Sequence, residues 1–296
     1  MGIDNAHYHG WHGQLHSPWL ACGAIVRVGL LQVFRRRAYW VVIGLGLLNF
    51  LLFWSVIYAV TQFQIPQRAQ ENLLRGFGFS ANPTDASENG YIEFMQRQSI
   101  VVMILLAFSG SLLVGADFRF NSMPFYLSRR IDRRHYIVGK LLAISAVVSL
   151  MTTIPALALF VEYGMFTSSL DYFRDNWRVP VSVITYGVVL CVVLSILLVT
   201  LSAYLQRMAP IAITWSSLFV MLATMANQLI DATGNQYWGL LDPWRNIRYV
   251  GKLCFGAYAG TEELNRELWA LGILAVACSV ALVALARRVR AVDIVT

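Results

Sequence analysis

Four imidazoles crowd one end of this sequence, at His7, His9, His12 and His16. His12 and His16 have the i,i+4 spacing that puts two ring nitrogens on one helix face, so the chemistry open to them is transition-metal binding. The segment around them is polar and has no apolar period. The simpler expectation is a solvated tail with no metal. Nucleotide chemistry needs a glycine-rich loop of the form G-x-x-x-x-G-K-[ST]. Gly139-Lys140 is followed by Leu141 and has Arg134 where the first glycine belongs. Gly251-Lys252 is followed by Leu253 and has Asn246 at that place. Neither can cradle a phosphate and hold magnesium. The chain has no H-E-x-x-H zinc site and no G-x-S-x-G nucleophile elbow. It is expected to be no enzyme and to hold no cofactor of its own.

The elements that must position any site are apolar. Hydrophobic residues make up 57% of the 296, charged residues only 13%, and the mean hydropathy is +0.58. A soluble domain carries about 25% charged residues. Six runs approach or exceed the ~20 residues a bilayer requires: Tyr39 to Tyr58, Ser99 to Gly115, Leu141 to Val161, Val181 to Ala203, Ile211 to Ile230 and Leu268 to Ala286. None contains Asp, Glu, Lys, Arg or His. A charge at mid-helix costs roughly 2.5–3.5 kcal/mol on insertion scales, so that absence predicts six transmembrane helices. The runs do not alternate as barrel strands do. The fold class expected is an all-α membrane protein.

The charges orient it. With the N-terminus inside, the inner segments 1–38, 116–140, 204–210 and 287–296 hold 14 of the 23 Lys and Arg but only 4 of the 16 Asp and Glu. Positive loops stay cytoplasmic. The expectation is a multi-pass protein of the inner (cytoplasmic) membrane with both termini cytoplasmic. The net charge of +7 is then an orientation signal, and no nucleic acid is expected as a partner. No secretory signal peptide is expected, and the scattered Cys22, Cys191, Cys254 and Cys278 suggest no structural disulfide.

Domain organisation follows. Residues 1–38 form a tail and then a helix begun by Ser17-Pro18. Trp19 to Phe34, with Arg27 near its middle, is short for a span and suits a helix in the inner interface. Residues 39–286 form one six-span domain with an inner loop, 116–140, and long outer segments, 62–98 and 231–267. Residues 287–296 are a cytoplasmic C-terminal tail. Gln64 to Gly76 could form a short helix. Trp238, Trp244, Tyr249 and Trp269 suit an interfacial aromatic belt. The spans have no carboxylate for ion coupling, so uphill transport would need an outside energy source. Pro155 could kink the third span.

The inner loop is the most informative segment. It runs Asp117-Phe118-Arg119-Phe120, then Phe125-Tyr126-Leu127-Ser128-Arg129-Arg130-Ile131-Asp132-Arg133-Arg134-His135-Tyr136, then Gly139-Lys140. It is too apolar for a solvated tether and too charged for a span. A positive-inside loop on anionic lipid would explain its arginines but not its interleaved aromatics.

The stretch resembles the first cytoplasmic loop of ABC-2-type permeases, the membrane subunits of ATP-binding-cassette exporters (type V). That loop carries an acid after the second span and then a pattern close to L-S-x-P-I-x-R-x-x-Y-x-x-G-K. Leu127, Ser128, Ile131, Arg133, Tyr136, Gly139 and Lys140 match, and Asp117 stands at the acid. Arg130 replaces a common proline, and Asn121-Ser122 a frequent Gly-Thr. The resemblance implies a permease paired with a second permease chain, alike or different, and with cytoplasmic ABC ATPase subunits that bind ATP and Mg. The loop would be a coupling helix. Arg129, Arg133 and Arg134 would meet acidic groups, and Phe125, Leu127 and Ile131 would fill a groove.

Small residues suggest packing. Ala107, Ser111 and Gly115 are spaced i, i+4, i+8 on the second span. Thr214, Ser217, Met221, Thr224 and Gln228 share a face of the fifth, as a substrate path or a seam between permease chains. A second expectation of another class is an ATP-independent multi-span scaffold or assembly protein. Glu262-Glu263-Leu264-Asn265-Arg266 lies one residue short of the E-E-x-x-x-R of intramembrane prenyl-type proteases and lacks their paired histidines, so a hydrolase is not expected.

Overall fold

A computed structural model describes residues 18–63, 66–79, 88–120, 133–166, 170–258 and 260–288. Every regular element among them is helical. Six helices are long and apolar enough to cross a bilayer: Arg37–Gln62, Asn89–Arg119, Arg134–Phe166, Arg178–Leu205, Met208–Thr233 and Thr261–Arg288. Each contains one of the charge-free runs and extends past it. The second begins well before Ser99 because its early charges are matched: Arg97 Nε donates to Glu93 Oε1 at 2.9 Å, one turn away. Tyr91, Phe94 and Met95 on the same turns are buried, so the helix is held where sequence polarity alone would end it.

Successive spans run up and down, which gives the bundle two ends. The loop end gathers Arg119, Arg134, Arg207 and Arg287; the far end gathers Glu93, Arg97 and the segment after Thr233. The second, third and fourth spans form the interior, with 56%, 44% and 50% of their apolar windows buried. The first, fifth and sixth, at 17%, 17% and 22%, lie outside them. In a bilayer the exposed Leu, Val and Ile faces meet lipid, so the outer helices need little protein around them.

Several interior polar groups are paired, but among the described residues the buried carboxylates of Glu162 in the third span and Glu267 in the sixth have no hydrogen-bond partner, so the expectation of spans without a carboxylate fails once the helices extend past their apolar runs. Asn49 donates to Gln98 Oε1 at 2.8 Å, Tyr186 to Gln96 Oε1 at 3.0 Å, and the Trp215 indole to the Met103 carbonyl at 3.2 Å. Without water to satisfy them, such groups require partners. The third span is broken at Thr152, between helical pieces Arg133–Met151 and Thr153–Phe166. Pro155 brings no N–H to the i−4 bond, and this accounts for the break. Gly187 of the fourth span meets Thr153 there, where no side chain would fit.

Two features lay outside the sequence reading. One is a helix, Pro243–Phe255, wedged among the far ends of the spans, with Ile247 and Val250 buried. Asp242 caps it by accepting from Trp244 N at 2.9 Å, Pro243 opens it, and Gly256 ends it at φ +71°. This helix buries Tyr249, expected in the aromatic belt, under the Arg266 guanidinium 4.9 Å from its ring centre. Trp238 and Trp269 remain exposed. The other is a π-helical segment, Ser111–Gly115. It shifts the helical phase, so the Ala107, Ser111, Gly115 spacing does not form one straight stripe. Ala107 and Gly115 are buried and Ser111 half-buried.

A helix is present over the expected stretch, as Pro18–Phe34. It pairs lengthwise with Arg133–Met151, in parallel: Cys22 Sγ donates to the His135 carbonyl, Ile25 lies on Gly139, and Gly29 on Ala143. The short helix expected after the first span is present as Gln67–Gly76, and Gln64 and Ile65 lie outside the described residues.

At Gly115 a Cβ would stand 2.8 Å from the backbone oxygen of Gln206, at the end of the fourth span. Gly115→Ala is expected to destabilise the protein by about 1–3 kcal/mol, read as a lower midpoint of denaturant unfolding in detergent. An unchanged midpoint would mean that the second and fourth spans do not meet this closely.

Candidate functional site

The loop leaves the second span after Phe120 and returns at Arg133. Asp117 lies on the last turn of the outgoing helix; Tyr136 and Lys140, i and i+4, share a face of the returning one. The structure brings all three together. Lys140 Nζ lies 2.7 Å from Asp117 Oδ2, and the Tyr136 hydroxyl donates to the same oxygen at 2.8 Å. Lys140 also donates to the Leu113 carbonyl at 2.5 Å, inside the π segment, and its ammonium lies 5.7 Å from the Tyr136 ring centre. The Lys140 and Asp117 side chains are only 11% and 15% exposed.

A buried charge pair is not stabilising by default, because both ions lose their water. Here the ammonium has a carboxylate, a carbonyl and a ring face. The arrangement ties the loop's two ends at one point. It joins the second span to the third, and through Gly115 and Gln206 to the fourth. Gln206 is the only non-glycine with positive φ among the described residues, at +58°. It ends the fourth span with its N–H donated to the Ser202 carbonyl at 3.1 Å. The Pro18–Phe34 helix braces the outside, with Trp19 edge-on to His135 at 4.7 Å.

Phe125, Leu127, Ser128, Arg129 and Ile131 lie outside the described residues, as do His7, His9, His12 and His16. Arg133 opens the returning helix, and Arg134 is exposed. Tyr136, Gly139 and Lys140 face inward instead. Tyr136 is 1% exposed and Gly139 packs on Ile25. Such residues cannot touch a docked protein; they hold the base of the loop. Sequence reading had the residue types but not their partnership, and Asp117 with a Tyr and Lys four apart was the available signal.

On the fifth span Thr214, Met221, Thr224 and Gln228 are exposed and Ser217 is half-buried. The opposite face, with Trp215 and Phe219, packs inward. The stripe therefore looks out of the single-chain bundle. Among the described residues no group of three or more His, Cys, Asp or Glu could hold a metal, and the four cysteines are free.

Together these features define a helical protein with six candidate spans and one tied loop base. The chain belongs to the family described as Protein of unknown function (DUF2705), which it matches over residues 44–295. Neither a curated protein nor a solved structure matches it.

Lys140→Met, which leaves Asp117 buried without its countercharge, is expected to cost about 3–5 kcal/mol. Adding Asp117→Leu should recover much of the loss. A double-mutant cycle measured by unfolding in detergent checks this, and strictly additive losses would show that the two side chains are not coupled.

Proposed function

We propose that this chain is the transmembrane permease subunit of an ABC-2-type exporter, moving a substrate with ATP hydrolysed on a separate subunit. The loop end is cytoplasmic and the chain sits in the inner membrane. The observation that carries the reading is the tie of Asp117, Tyr136 and Lys140. A loop anchored this way transmits a push from a docked protein into the second and third spans rather than absorbing it. The basic loop end supports the orientation. Phe125, Leu127 and Ile131 are the groove-filling anchors, and Arg129, Arg133 and Arg134 meet acidic groups on the ATPase. ATP and Mg stay with that partner.

The outward stripe of the fifth span belongs to the same reading. Thr224 returns its hydroxyl to the Met221 carbonyl at 2.8 Å, but a Gln228 amide facing lipid is short of partners. A second permease chain supplies them, and the substrate path lies along the seam. Single cysteines at positions 214, 217, 221, 224 and 228 separate the two roles. Labelling by a water-soluble thiol reagent marks a path; protection at every position, with cross-links between chains, marks a closed seam.

The decisive experiment is co-purification with an ATPase whose hydrolysis the permease stimulates. Arg133→Glu should abolish that stimulation while membrane insertion stays intact. Transport that persists with the charge reversed would remove Arg133 from the interface. Full function of the purified chain alone would leave the scaffold reading in its place.

A further inference from the structure

A second polar constellation lies at the far end of the bundle. Glu93 and Asp117 stand on the same span, about 36 Å apart along its axis at 1.5 Å per residue. There a cavity of about 300 Å³ is lined by Glu93, Gln96, Arg97 and Ile100 of the second span and by Asp242, Trp244, Arg245 and Arg248. Three guanidinium groups face two carboxylates.

The carboxylates are already engaged. Glu93 accepts from Arg97 through one oxygen at 2.9 Å and from Arg248 through the other at 3.0 Å. Asp242 caps its helix and lies 4.0 Å from Arg245 Nε. Burial pushes the Asp242 carboxyl above its ordinary value; the Trp244 and Arg245 amides and the Arg245 guanidinium pull it back.

The donors are not exhausted. A guanidinium has five N–H groups. Among the described residues Arg248 donates only to Glu93, and Arg245 only to Asn227 Oδ1 at 2.5 Å, besides its contact with Asp242. Gln96, 5% exposed, accepts from Tyr186 through its oxygen, which leaves its amide N–H donors available. The cavity thus combines one surplus positive charge, unused planar forks and an amide. Planar forks match the oxygens of phosphate. The volume is at the lower bound for ligand sites, which suits a small headgroup. Ile100, on the lining, is 48% exposed, so the cavity opens beside the apolar flank of the bundle.

We propose that this cavity binds a phosphate group, from an anionic lipid headgroup or from a soluble phosphoryl compound. The inference is independent of ATPase coupling.

The test uses the full chain in phosphatidylcholine nanodiscs, with thermal unfolding as readout. One arm titrates phosphatidylglycerol into the discs and the other adds glycerol 3-phosphate to the buffer. A midpoint that rises only in the first arm assigns the site to lipid; a rise with glycerol 3-phosphate assigns it to a soluble ligand. Arg248→Gln leaves Glu93 paired with Arg97 and should weaken the response about tenfold. Arg245→Gln is the second variant, should the first not fold. Arg68→Gln removes an exposed charge on the Gln67–Gly76 helix, outside the cavity, and should change the response less than twofold. No rise in either arm, or an equal loss in Arg68→Gln and the cavity variants, overturns the proposal.

Discussion

A lysine ammonium cannot leave water unless oxygen takes water's place, and the loop end of this protein is arranged around that requirement. Lys140 needs the Asp117 carboxylate, and Asp117 reaches it only because the outgoing helix continues past its apolar run. It also takes the Leu113 carbonyl, in the segment where the second span widens to a π turn. Glycine at position 115 then lets that span lie against the backbone end of the fourth. Charge pairing, helix geometry and close packing therefore depend on one another here. Altering any one of them disturbs the place where the loop begins and ends.

The far end solves a different problem. The second, fourth, fifth and sixth spans meet there, and the Pro243–Phe255 helix fills the space between them with Ile247, Val250 and Phe255. Its polar side, with Arg245 and Arg248, closes over Glu93 and Arg97 of the second span. The first end is tied by one desolvated pair. The second is held by apolar filling and by a network of partly exposed guanidinium groups, individually weak. The two ends thus differ in what a partner or ligand would find: a rigid handle at one, an accessible charged recess at the other.

The six spans were legible because charge is so costly inside lipid that its absence is a reliable sign. Their limits were not, because Glu93 and Arg97 neutralise each other within a helix and look from sequence like a loop. The Pro243–Phe255 helix was punctuated by Asp242-Pro243 and Gly256, yet its mixed composition hid it beside stronger apolar runs. The π turn had no sequence signal, since it depends on what the widened segment meets across the bundle. Asp117, Tyr136 and Lys140 were recognisable by type and spacing. That they face one another, and not outward, follows from burial, which sequence alone does not state.

The lengthwise pairing of Pro18–Phe34 with Arg133–Met151 has a consequence for biosynthesis. Cys22 and His135 are 113 positions apart. At about 5–20 residues per second, the ribosome needs roughly 6–23 s to deliver the second after the first. For that interval the helix lacks the partner that it packs on along most of its length. Docking of Pro18–Phe34 against Arg133–Met151 is therefore paced by translation.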